Sequence, residues 1–194
     1  MKFTQAEGNR TLIICFEEEI QDICDATGCS VLGISGIDWN RDLSPWPAPR
    51  VFKKGEDFAG KADDTIETML KEITFSAYDQ VILAGYSLAG LFALYACTKT
   101  DVFTGCVSTS GSLWYPGFTD YLGSHPLRCQ KVYLSLGDRE KNSRNPLMGQ
   151  VQEKTEETYE IIRAYLPCIM QMNAGGHFDD PRGRLLKGMH ALLD

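Results

Sequence analysis

Residues 81–91 read Val-Ile-Leu-Ala-Gly-Tyr-Ser-Leu-Ala-Gly-Leu. The apolar run that opens this string has strand character, and the stretch Leu88–Thr98 after the serine has helix character. A strand that passes into a helix through so few residues needs a sharp turn. The flanks of that turn must be small, because strand and helix run close together there. Gly85 and Ala89 meet the need, and Gly90 follows. Ser87 stands at the tip, where a strained backbone leaves its hydroxyl exposed at the edge of a sheet. The pattern is that of a nucleophile elbow, with Ala89 in place of the glycine usual at the second flank.

Strand and helix signals alternate around the elbow. Strands are predicted over Thr11–Phe16, Ser30–Ser35, Val81–Tyr86, Thr104–Ser108, Lys131–Leu136 and Cys168–Met172. Helices are predicted over Glu17–Ala26, with Ile20, Ile23 and Cys24 on one face, and over Lys61–Ser76, with Ile66, Met69, Leu70 and Ile73 at core spacing. Further helices are predicted over Leu88–Thr98, Gly149–Leu166 and Arg182–Leu193. Such alternation predicts an α/β fold, a mostly parallel sheet with helices on both faces. No repeat or low-complexity tract interrupts it, so residues 1–194 read as a single domain.

Composition narrows the function classes. Hydrophobic residues make up 43% and charged residues 23%, as in a globular chain. The net charge of −7 disfavours nucleic acid and anionic membrane surfaces as partners. No run approaches the roughly 20 apolar residues of a membrane span. The seven cysteines include no Cys-x-x-Cys pair, and most sit in apolar runs as free thiols do. With no apolar leader among the first residues, the expected compartment is the cytoplasm. Cysteines and histidines are scattered, so neither a metal site nor a cofactor is expected.

A serine hydroxyl needs a base, and the base needs a carboxylate to fix its tautomer. Only three histidines are present. His177 lies in Asn173-Ala-Gly-Gly-His-Phe-Asp, a glycine-rich loop after a late apolar strand, and is the candidate base. His190 falls on the closing helix and His125 in a connecting loop, both structural positions. The acid belongs after a strand between serine and histidine. Gly137-Asp138-Arg139-Glu140 follows Lys131–Leu136, and spacing favours Glu140 with Asp138 as the alternative.

The longest irregular stretch, Gly36–Gly60, follows a strand and should lie at the ligand-binding edge of the sheet. It carries Trp39, Arg41 and Trp46. These residues form either a binding wall or a packed loop in which Arg41 pairs with Asp38 or Asp42. Trp114, after the next strand, and Tyr86, beside the serine, complete the candidate substrate contacts. No insertion of lid size is present, so the site is expected to be open and shallow.

Several segments resemble the α/β-hydrolase superfamily and, within it, the esterase group that includes esterase D and the enterochelin (siderophore) esterases. Gly85–Gly90 and Gly175-Gly176-His177 carry the superfamily likeness. Ser110-Gly-Ser-Leu-Trp-Tyr-Pro116, Gly137-x-x-Glu140 and Arg41-Asp42-Leu-Ser-Pro45 carry the group likeness. The likeness runs from about Leu12 to the end of the chain, although this chain is shorter before the elbow than siderophore-cleaving members. It implies a three-layer α/β-hydrolase fold without a large lid. It also implies ester hydrolysis through Ser87, His177 and Glu140 on a small-molecule ester. The Leu88 N–H would be one oxyanion donor, and Phe16 or Glu17 would supply the second. An acyltransferase and a non-catalytic ligand-binding homologue stand as alternatives, and the oligomeric state is left open.

Overall fold

The computed structural model describes residues 1–193. Seven strands form one sheet: β1 (Lys2–Ala6), β2 (Asn9–Cys15), β3 (Cys29–Ser35), β6 (Gln80–Tyr86), β7 (Gly105–Thr109), β8 (Lys131–Gly137) and β9 (Cys168–Asn173). Their spatial order is β1-β3-β2-β6-β7-β8-β9. All neighbours pair in parallel except β1 and β3. Helices α1 (Gln21–Thr27) and α7 (Pro181–Leu193) cover one face. Helices α3 (Ala62–Glu72), α4 (Leu88–Lys99), α5 (Phe118–Ser124) and α6 (Val151–Arg163) lie on the other. Trp39–Asp42 forms a short helix, α2, and Pro47–Ala48 (β4) pairs with Phe58–Ala59 (β5).

Helix α4 is the pivot of the larger core. Every residue from Leu88 to Thr98 is buried, so the helix is apolar all round and packs on several sides. It meets β6 and β7 along the sheet and α3 above it. A Cβ at Gly85 would overlap the carbonyl group of Ala89, and one at Gly90 would come within 2.9 Å of Ser108 Oγ. These two glycines let the helix lie flat against the sheet. Ala89 fits at the other flank because Gly85 supplies the room.

Parallel register then sets the site. Tyr86 pairs with Thr109, Thr109 with Ser135, and Gly137 with Asn173. The loops that leave β6, β7, β8 and β9 therefore open at one edge. Strand β2 lies beside β6, yet its chain continues outward to β3. The strand order reverses there, and such a switch point leaves a crevice outside the strand ends.

Several elements differ from the sequence reading. Strand β1 was not expected, because Lys-Phe-Thr-Gln carries no buried face; it closes an edge and stays exposed. Helix α1 begins at Gln21 rather than Glu17, and Glu17 instead places its carbonyl where a Cβ at Gly33 would sit. Helix α3 stops at Glu72, Ile73 turns extended, and Phe75–Ala77 forms a separate 3-10 turn. Leu70, assigned to the core by its spacing, is 39% exposed. Helix α5, seven residues long after Gly117, is too short to show a period.

Gly85→Ala should lower stability by on the order of 1–3 kcal/mol, because the methyl group must displace backbone. Gly123→Ala, with open space around its Cβ position, should leave stability unchanged or raise it slightly. Thermal denaturation of the two variants checks this, and equal effects would count against the close approach at Gly85.

Candidate active site

Ser87 is held at φ 56°, ψ −122°, in the positive-φ range that non-glycine residues rarely adopt. The sheet and helix overdetermine that strain. Its N–H donates to the Thr109 carbonyl at 3.0 Å. Its own carbonyl accepts from Gly90 N–H at 3.0 Å, Leu91 N–H at 3.2 Å and Ser112 N–H at 3.0 Å. The hydroxyl is left facing the cleft, 3.0 Å from His177 Nε2 and 3.5 Å from Ser112 Oγ. Leu88 is the first residue of α4, so its N–H has no acceptor within the helix.

His177 sits in the loop after β9. Its Nδ1 lies 2.7 Å from Glu140 Oε2, and the tautomer with the proton on Nδ1 satisfies both ring contacts. The loop is shaped by backbone contacts. Gly175 adopts φ 109°, its N–H donates to Asp138 Oδ1 at 2.9 Å, and Gly176 N–H donates to Asp179 Oδ2 at 2.7 Å. The Tyr86 hydroxyl donates to the His177 carbonyl. Asp138 thus holds the loop, and Glu140 is the carboxylate in contact with the imidazole.

Glu140 opens a 3-10 turn after β8, and only 3% of its side chain is exposed. Oε1 accepts from Ser110 Oγ at 2.7 Å, Gly137 N–H at 2.8 Å and Arg184 Nη1 at 3.2 Å. Burial works against the charged form, but the hydrogen bonds from His177, Ser110 and Gly137 outweigh it. They hold the carboxyl below the usual carboxylate range. Ser110 reaches its position through φ 47°.

A cleft of about 560 Å³ opens over these residues. That size suits a small organic ligand. Trp39, Phe52, Phe58, Trp114, Met148 and Phe178 make its walls largely apolar. Phe178 is 84% exposed and Phe52 59% exposed, both at the cleft. Arg139 and Glu140 are the charged lining residues, and Arg139 is paired with Asp179 at 3.1 Å.

Of the five candidate substrate contacts, Trp39 and Trp114 line the cleft. The other three do not line it, and each engages a neighbouring residue. Arg41 is spent on Asp42, with Nε to Oδ1 at 2.8 Å and Nη2 to Oδ2 at 3.0 Å. Trp46 is half-buried among Tyr95, Tyr115 and Tyr121, and its Nε1 donates to the Pro116 carbonyl at 3.0 Å. Tyr86 holds the His177 loop from behind. Phe16 stacks edge-on to Phe92, and Glu17 lies 3.7 Å from Arg182; neither lines the cleft. His125 stacks on Tyr121, and His190 is exposed on α7.

Arg184 does not stand out in the sequence, where Arg182–Leu193 reads as an ordinary amphipathic helix. Its signal was position. Arg184, Leu185, Gly188, Met189 and Leu192 form one buried stripe, and a charge on that stripe needs a partner. Ser112, beside the nucleophile, carries no mark in the sequence beyond its place in the Ser110–Pro116 segment.

No protein-family model and no curated protein matches this sequence. Solved structures do share the fold. Siderophore hydrolase EstB from Aspergillus nidulans superposes with a TM-score of 0.73 at 16% identity, over 96% of this chain and 83% of that one. MGS-MChE2, an alpha/beta hydrolase enzyme from the metagenome of lagoon sediments at Mar Chica, Morocco, gives 0.61 at 17% identity, over 100% and 93%. Brefeldin A esterase, a bacterial homologue of human hormone sensitive lipase, gives 0.62 at 10% identity, over 98% and 70%. The chain has the three-layer α/β-hydrolase fold.

The depressed Glu140 carboxyl carries a stability consequence with a definite sign. Its contribution is fully present above about pH 4.3, the value of a free glutamate. It is lost as the pH falls below that, through the lower folded-state value. The melting temperature should therefore drop on acidification by more in the parent protein than in Glu140→Gln. Parallel curves would contradict the pairing.

Proposed function

We propose that this protein is a serine carboxylesterase acting on small, uncharged esters with apolar groups. The observation that carries this reading is one chain of contacts in an apolar cleft. Ser87 Oγ lies 3.0 Å from His177 Nε2, and His177 Nδ1 lies 2.7 Å from Glu140. The esterases and hydrolases among the structures that share the fold support the same reaction class.

In the proposed mechanism Ser87 Oγ attacks the ester carbonyl as His177 Nε2 takes its proton. Glu140 stabilises the imidazolium that forms. The Leu88 N–H, at the positive end of α4, donates to the developing oxyanion. The second donor is proposed at the backbone N–H of Phe16 or Glu17, just after the strand beside β6, with their side chains turned to Phe92 and Arg182. The tetrahedral intermediate then expels the alcohol, which leaves with the proton from His177. Water repeats the sequence on the acyl-enzyme, releasing the acid and restoring Ser87. The cleft chemistry gives the substrate class: flat apolar walls favour aliphatic or aryl groups, and no unpaired charge is available to an ionic one. No helix among the described residues is long and apolar enough to cross a membrane. Seven unpaired cysteines suit a reducing compartment, so the proposed location is the cytoplasm.

Ser87→Ala should reduce hydrolysis of p-nitrophenyl butyrate by about 10⁴-fold or more and abolish labelling by a fluorophosphonate. Full turnover by that variant would remove the serine from the mechanism. Trp39→Ala should lower kcat/KM for a naphthyl ester by about tenfold, the worth of one aromatic contact. It should leave p-nitrophenyl acetate nearly unchanged. An equal loss on both esters would argue that Trp39 does not bind substrate.

A further inference from the structure

Arg184 is 1% exposed and ranks among the largest fully buried side chains in the chain. A guanidinium taken out of water is strongly unfavourable unless it is paired and hydrogen-bonded on several sides. Its partners here are specific. Nη1 donates to Glu140 Oε1 at 3.2 Å and to Ser110 Oγ at 3.3 Å, while Nη2 donates to the Ala174 carbonyl at 2.9 Å. One planar fork therefore joins the carboxylate in contact with the imidazole, the serine that also holds that carboxylate, and the loop that carries His177.

The neighbouring backbone keeps room for this fork. A Cβ at Gly137 would stand 2.9 Å from Arg184 Nη1 and 2.9 Å from Glu140 Oε1. Ser110 accepts a positive φ while aiming its hydroxyl at the same carboxylate oxygen. Oε1 is thus occupied by three donors from β8, the loop after β7, and α7. Oε2 alone is left for His177 Nδ1. Without the guanidinium, the carboxylate would turn more freely, and the Ala174 carbonyl would lose its tether to the acid.

We propose that Arg184 is a positioning residue that clamps Glu140 and the His177 loop in one register, so that the imidazole is presented to Ser87 at hydrogen-bonding distance. The proposal rests on the Ser87–His177–Glu140 reading. It requires an arginine in particular: a lysine keeps the charge but has one compact ammonium, which cannot span acid and carbonyl as a fork does.

The test compares Arg184→Lys, Glu140→Gln and Glu140→Gln/Arg184→Met in the full chain. The readouts are kcat and KM on p-nitrophenyl butyrate, the rate of fluorophosphonate labelling at Ser87, and the melting temperature. Arg184→Lys should fold and lose about 10–100-fold in kcat and labelling rate, with KM within about twofold. A residue whose work is to hold the acid against the His177 loop has little left to do once that carboxylate is gone, although its Ala174 contact survives. The double variant should therefore label within about twofold of Glu140→Gln. It should also melt higher, because no unpaired guanidinium remains buried. Arg184→Lys at the parental kcat overturns the proposal. So do losses that multiply in the double variant, or an unfolded Arg184→Lys with a double variant no more stable than Glu140→Gln; each assigns a purely structural arginine. If parent protein fails to label at Ser87, the serine reading itself falls, an outcome distinct from all of these.

Discussion

A single buried carboxylate gathers four donors from four separate parts of the chain. Glu140 receives the Gly137 N–H from the end of β8, the Ser110 hydroxyl after β7, the Arg184 guanidinium from α7 and the His177 imidazole after β9. None of these contacts is local except the first. Each therefore depends on parallel strands ending in register at one edge of the sheet. Losing a donor would leave charge stranded in a water-poor interior, where an unmade hydrogen bond costs the most. The acid at the centre of the candidate site is also the point at which α7 and the loops of the sheet edge are tied together.

The elbow supplies the complementary constraint. Ser87 bears a strained backbone because β6 and α4 approach too closely for any side chain at Gly85. Helix α4 is buried on all sides, so the strain is offset by the burial of its apolar residues. Reactive geometry at the tip and stability in the core are two aspects of the same packing.

The walls of the cleft are less constrained. They come from the stretch between β3 and α3, from the segment after β7, and from the loops before α6 and α7. That stretch does two jobs. Trp46 turns inward and anchors it to the aromatic cluster, while Trp39 and Phe52 face the cleft. Loops fastened at one point and exposed at another can vary their lining without disturbing the acid, the base or the nucleophile.

What the sequence by itself determined follows from short-range chemistry. Small residues at 85, 89 and 90 allow a tight strand-to-helix turn around Ser87, so the elbow was legible. So were the alternating elements and the glycine-rich loop around His177, because period and turn residues are local signals. Spacing favours Glu140 over Asp138 without settling the choice. Both follow the same strand, and only the folded chain turns one towards the Gly175 N–H and the other towards the imidazole. Arg41 and Trp46 are equally suited by sequence to a ligand or to packing, and only the fold shows Arg41 paired with Asp42 and Trp46 set among tyrosines. Arg184 carries no local mark beyond its place on an apolar stripe. Its partners lie 10, 44 and 74 residues away, and only the tertiary structure, by closing α7 over the sheet, brings a charge against them.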